Sequence, residues 1–248
     1  MNLLELTDLT VMRGDVPVVQ RVGLSVAAGE FVGLVGPNGA GKTTLMRAAL
    51  GLVDHAGRSS LARLPAAQRA RHAAFLPQTR EVAWPVSVEV LAALGRVPHG
   101  GRMQAADRAA VAQALARMGM DRLRTRNVQE LSGGELARAL IARVLAQETP
   151  LVLADEPVAG LDPAQQIRTM QVFAALAAEG RGVVASIHDL GLAARHCTRI
   201  VVLDHGRVVA DGAPMAVLDD ATLAGTFGIR AYRAVADGPV LMPLSVCP

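Results

Sequence analysis

The run Gly36-Pro37-Asn38-Gly39-Ala40-Gly41-Lys42-Thr43 constrains this chain more than any other feature of it. It lies between an apolar, β-branched stretch, Phe31 to Val35, and a helical run, Thr44 to Leu50, so a strand must turn sharply into a helix. Glycines let the backbone aim successive N–H groups at one anion, and the helix start adds the positive end of its dipole. The spacing is that of a phosphate loop: residues Gly36 to Thr44 make the cradle, Lys42 reaches the β and γ phosphates, and Thr43 offers its hydroxyl to a divalent cation. Lys42 is also the only lysine, since every other cationic side chain is arginine. A compact ammonium kept at this one place suits a phosphate-binding point charge, although an arginine-rich composition with one chance lysine would look the same.

A chain of 248 residues that is 51% apolar can bury a large core. Leu151–Ala154, Val183–Ile187 and Ile200–Leu203 join Phe31–Val35 as strands, and they alternate with helical patterns, which predicts an α/β fold with a mainly parallel sheet. From about 86 to 147 the pattern is helical throughout, including Ala105 to Met118, which predicts a helical subdomain inserted into the α/β core with edges near Gln78 and Pro150. Residues 1–228 then form the domain, and 229–248, with Pro239, Pro243 and Pro248, read as a loosely structured tail.

No apolar run approaches the length of a membrane span, and Met1 to Glu5 lacks the basic flank and apolar stretch of a secretory signal, so a cytosolic location is expected. Cys197 and Cys247 stand far apart without metal-ligand neighbours and read as free thiols. A net charge of +3 spread along the chain, with 2% aromatic residues, argues against nucleic acid as a partner.

The strand Leu151–Ala154 runs on into Asp155 and Glu156. Asp155 falls near the mouth of the sheet, where α/β folds bind ligands, and can hold the cation. Glu156, one residue on, is placed to orient a water attacking a γ-phosphate or to accept its proton. A solvated strand edge is the plainer alternative.

Leu131-Ser132-Gly133-Gly134-Glu135 resembles the signature of ATP-binding cassette (ABC) ATPases. Ser132, Gly133 and Gly134 present a hydroxyl and N–H groups to an anion at a helix start, while Ser132 and Glu135 also make a capping box that needs no nucleotide. Glu135 stands where the family usually has glutamine. Gln78 resembles the family's Q-loop glutamine, which senses magnesium and the attacking water. Ala159-Gly160-Leu161-Asp162 resembles the D-loop, with Asp162 before Pro163 doubling as a helix cap, and His188 resembles the switch histidine at the γ-phosphate.

The resemblance covers about Leu3 to Gly228 and implies a phosphate-loop NTPase fold with a small antiparallel β portion, acting on ATP with Mg2+. Glu156, His188 and Gln78 become the catalytic set, and Thr43, Gln78 and Asp155 the metal set. It implies a homodimer closing head to tail on two ATP, with transmembrane permease subunits as partners and a periplasmic or surface binding protein engaged indirectly. The expected place is peripheral, on the cytoplasmic face of the inner membrane.

Val86 to Leu91 and Leu94 to His99 resemble the importer group serving iron-siderophore, haem and cobalamin uptake. A zinc or manganese importer, an exporter subunit and a non-transport ABC protein are the alternatives. Arg13 stands where the family commonly stacks an aromatic residue on adenine, and a guanidinium plane can take that role. The segment from Gly51 to Gln78 is short and lacks the usual Asp-Gly hairpin, which predicts a reduced antiparallel sheet. Trp84, the only tryptophan, either anchors a membrane partner or packs the subdomain core.

Overall fold

The computed structural model describes residues 2–100 and 102–247. Strands β1 (Asn2–Arg13) and β2 (Val16–Ala27) form a long antiparallel hairpin, and β3 (Phe31–Val35) leads through the glycine loop into α1 (Lys42–Ala49). There follow β4 (Ala56–Ser59), α2 (Ala66–His72), β5 (Ala73–Leu76), α3 (Val88–Ala93), α4 (Ala105–Arg117) and α5 (Gly133–Ala146). Next come β6 (Leu151–Asp155), α6 (Pro163–Ala178), β7 (Gly182–Ser186), α7 (Leu190–His196), β8 (Arg199–Asp204) and β9 (Arg207–Gly212). The last elements are α8 (Pro214–Val217), α9 (Asp220–Phe227), β10 (Ile229–Val235) and β11 (Pro239–Val246).

The central sheet has the order β5-β6-β7-β3-β8-β9, parallel except for β9. Its strands read as continuous apolar runs because both faces are covered. Successive residues serve opposite cores: Phe31, Val152, Val183 and Ile200 face the core shared with the helices, while Val32, Leu151, Val184 and Val201 face the core shared with β1, β2 and α1. Because β3, β6 and β7 are parallel, the glycine loop, Asp155-Glu156 and His188 all leave the sheet at one edge. Ligands of such sheets bind outside these carboxyl ends.

The second sheet has the order β2-β1-β4: its two long strands are the N-terminal hairpin, and only β4, four residues paired with β1 alone, is short. Helices α3, α4 and α5 pack through Leu91, Leu115 and Ile141 and share a core with the β6 side of the sheet. Arg96 is buried among them, 2.8 Å from Asp107 and 2.6 Å from Glu148, with a further bond to the Ala146 carbonyl. These two carboxylates and the carbonyl offset the cost of burying that charge.

The tail expectation is corrected, since β10 and β11 form an antiparallel hairpin over residues 229–246. Asp237 and Gly238, both at positive φ, make its turn, the residue types such turns require. Pro239 opens β11, and Pro243 lies beside an irregularity in the register, positions where a missing N–H breaks no ladder. Leu241 is buried, and its carbonyl lies so close to Gly191 that a Cβ there would fall 2.7 Å from it. Arg195 of α7 also donates to the Asp237 carbonyl at 2.9 Å.

Candidate functional site

The glycine loop keeps its shape through backbone torsions closed to other residues. Gly36 has φ 149°, and a Cβ on it would meet the Leu203 carbonyl oxygen at 1.9 Å; Gly41, capping α1, has φ 101° and the Val18 carbonyl 2.6 Å from the same position. Lys42 is 7% exposed and its ammonium donates to the carbonyls of Gly36, at 2.6 Å, and Pro37, at 2.9 Å. The ammonium is thus folded back over the loop. Burial lowers its pKa, and the carboxylates of Glu156 and Asp155 oppose that shift.

Asp155 ends β6 and is 2% exposed. Its Oδ1 accepts from the Ser186 hydroxyl at 2.7 Å, while Oδ2 is buried without a hydrogen-bond partner. Glu156 adopts a left-handed φ of 49°, uncommon for a residue with a side chain, and it persists only where neighbours over-determine it. Its N–H donates to Ser186 Oγ at 2.8 Å, and its carboxylate lies 2.7 Å from His188 Nε2. A cleft of about 360 Å³ is lined by Arg13, Val18, Asn38 to Thr44, Gln78, Glu156 and His188. Gly36 and Pro37 stand behind it as acceptors for Lys42.

The remaining candidates lie elsewhere. Ser132, Gly133, Gly134 and Asp162 do not line the cleft. Ser132 caps α5: its Oγ accepts from the Glu135 N–H at 3.3 Å, and the Glu135 carboxylate accepts from the Ser132 N–H at 2.9 Å. The Ser132 N–H and hydroxyl also hold the Glu135 carboxyl below its usual range. Asp162 caps α6 through the Gln165 N–H at 3.0 Å. Trp84 is 60% exposed, so core packing is not its role.

Two residues escaped the sequence reading. Ser186 is a fully buried hydroxyl in an otherwise apolar strand, and that interruption was the available signal. Arg80 follows Gln78 by two positions in a stretch without helix or strand. Its guanidinium donates to the carbonyls of Ala159 at 2.7 Å, Glu156 at 2.9 Å and Pro157 at 3.2 Å.

The family model described as ABC transporter matches residues 19–159. This chain belongs to the ABC transporter family. Among ABC relatives, the cobalamin import ATP-binding protein BtuD of Halobacterium salinarum is 42% identical over 99% of this chain, which spans 63% of that relative's length. The hemin import ATP-binding protein HmuV of Pseudomonas entomophila is 40% identical over 92% of this chain and 93% of its own. Among solved ABC structures, a dimeric cassette, MJ0796, in a post-hydrolysis state bound to ADP and Pi superposes with TM-score 0.76 at 25% identity, covering 86% of this chain and 99% of that one. Both phosphate loop and carboxylate strand fall within the matched family segment, and among the described residues no helix is long and apolar enough to cross a membrane.

Proposed function

We propose that this chain is the ATP-binding and ATP-hydrolysing subunit of an ABC importer, working as a homodimer against membrane-spanning permease subunits, and that its cargo is a metal chelate of the iron-siderophore, haem or cobalamin class. The observation that carries the ATPase reading is the single cleft holding Lys42, Glu156, His188 and Gln78. Lys42 and the loop N–H groups bind the β and γ phosphates. Glu156 orients the attacking water and takes its proton, and His188, hydrogen-bonded to that carboxylate, fixes its direction. Arg13 and Val18 also line the cleft and supply a surface for adenine.

The donor set fits magnesium. Asp155 Oδ2 is a buried acceptor without a partner, and such an atom calls for a cation or water. Among the described residues no group of three or more His, Cys, Asp or Glu makes a metal cage, as suits an ion that keeps waters and shares phosphate oxygens. Thr43, Asp155 and Gln78 would hold it, and bound there it would neutralise charge on the phosphates.

The dimer reading is supported by the signature segment lying outside the chain's own cleft, free to face a second copy's phosphate loop. The helical subdomain, about 86–147, meets the α/β core beside Gln78, so a change at the phosphates can turn one against the other. Trp84, just before that subdomain, and Leu94 and Val97 within it are exposed and offer apolar contacts for a cytoplasmic permease segment, with the protein peripheral on the inner face of the membrane. The cargo class rests on the resemblance of Val86 to Leu91 and Leu94 to His99 to that importer group and on the likeness to a cobalamin and a hemin import protein.

Glu156→Gln tests the ATPase reading: hydrolysis should fall by about 10²- to 10⁴-fold while ATP still binds and holds a dimer on size-exclusion chromatography. Turnover comparable to wild type would remove Glu156 from its role. In vesicles carrying the complex, a chelate-loaded binding protein should stimulate hydrolysis, and Trp84→Ala should lose more of that stimulation than of basal activity. Transport of sugars, amino acids or phosphate with no response to chelates would overturn the cargo class and leave the ATPase intact.

A further inference from the structure

The loop between β5 and α3 carries Gln78, and the turn after β6 carries Glu156 and continues through Pro157 to Ala159 and Asp162. Among the described residues, the only side-chain hydrogen bonds joining these two segments come from Arg80. One planar guanidinium there satisfies three carbonyls from two separate nitrogens, a fixed fork that the one nitrogen of an ammonium does not reproduce. One of those carbonyls belongs to Glu156 itself. The left-handed backbone of Glu156 is therefore pinned on two sides, its N–H by Ser186 of β7 and its carbonyl by Arg80. Charge-assisted bonds of this kind are stronger than neutral ones, and they hold a residue whose torsion would otherwise relax. Another carbonyl, that of Ala159, opens the Ala159-Gly160-Leu161-Asp162 segment.

We infer that Arg80 is a positioning residue for hydrolysis: it sets the backbone of Glu156 from the Gln78 loop, so that the water-orienting carboxylate is in register only when that loop is seated. The inference rests on the proposed role of Glu156. Arg80 touches no reacting atom; it makes the carboxylate, the glutamine loop and the segment leading to Asp162 move as one body. A displacement of the loop then withdraws the carboxylate without opening the phosphate cradle, because Lys42 and residues 36–41 belong to a different connection.

The test compares wild type, Arg80→Ala, Glu156→Gln and the double variant as full-length purified chains, each measured for ATP affinity, KM, kcat and thermal midpoint. Arg80→Ala should lower kcat by about 10- to 100-fold, the scale of a reacting group misplaced by an ångström, with ATP affinity and KM within about threefold of wild type. In the Glu156→Gln background the same change should add nothing, since the group it positions is already gone. Arg80→Lys keeps charge but not the fork and should stay impaired, which a general loss of packing would not produce. An unchanged kcat in Arg80→Ala, a loss carried wholly by KM, full activity in Arg80→Lys, or additive losses in the double variant would each overturn the inference. Loss in Glu156→Gln with normal turnover in Arg80→Ala overturns it while leaving the Glu156 assignment standing. Normal turnover in Glu156→Gln removes that assignment itself.

Discussion

The two segments proposed to meet phosphate in this chain are built on the same device, a helix start rich in glycine, yet they are finished to different degrees. At α1 the loop is enclosed: Lys42 is buried and bonded to two carbonyls, Asp155 and Glu156 stand behind it, and a cleft is present in the single chain. At α5 the segment is open: Ser132 and Gly133 are exposed, and the Ser132 hydroxyl and Glu135 carboxylate satisfy one another. The first is a complete cradle. The second is a capped helix end with unclaimed N–H groups, and the proposed dimer would make it a site by bringing another surface against it. Local capping keeps α5 formed while it waits, which is why the capping and anion-binding readings of Ser132 are compatible.

The comparison breaks first at Lys42. Lys42→Ala removes the chain's only ammonium, and charged hydrogen bonds of about 1.5–3 kcal/mol correspond to a loss of roughly 10- to 100-fold in ATP affinity by calorimetry. An affinity unchanged from wild type would mean that the backbone cradle alone holds the phosphates.

Ser132 separates the two roles at α5. Ser132→Asp keeps a good N-cap and should leave the thermal midpoint within the effect of about 1 kcal/mol, yet its charge repels phosphate and should abolish ATP-dependent dimerisation without reducing ATP binding by the monomer. Dimerisation at wild-type ATP concentration would show that the α5 start takes no part in closing on nucleotide.

The smallest effect is expected at Arg13, on the lining of the enclosed site. Arg13→Ala should weaken ATP binding several-fold, from a stacking contact of about 0.5–2 kcal/mol, and leave kcat unchanged. An equal loss for a nucleotide-free triphosphate chain would show that Arg13 acts as a charge and not as a platform for the base.

By itself the sequence determined the parts whose conformation is local. The glycine loop was legible because its torsions are the property of residues 36–41, the central strands because both of their faces are apolar, and the caps at Ser132 and Asp162 because each reaches only three residues ahead. Asp155 and Glu156 could be proposed because strand ends of a parallel sheet share an edge, whereas His188 was picked out by its resemblance to the switch histidine. Tertiary structure decided what depends on distant segments meeting. Ser186 joins Asp155 and Glu156 only through the register of β6 with β7, and Arg80 reaches Glu156 across 76 positions. The C-terminal hairpin shows the limit from the other side: Pro239 and Pro243 read as signs of a loose tail, yet one opens β11 and the other lies beside a register irregularity, so neither breaks the ladder. Torsional preference acts over a few bonds and can be read in order along the chain. Pairing energy depends on which neighbour arrives, and only the folded sheet supplies that.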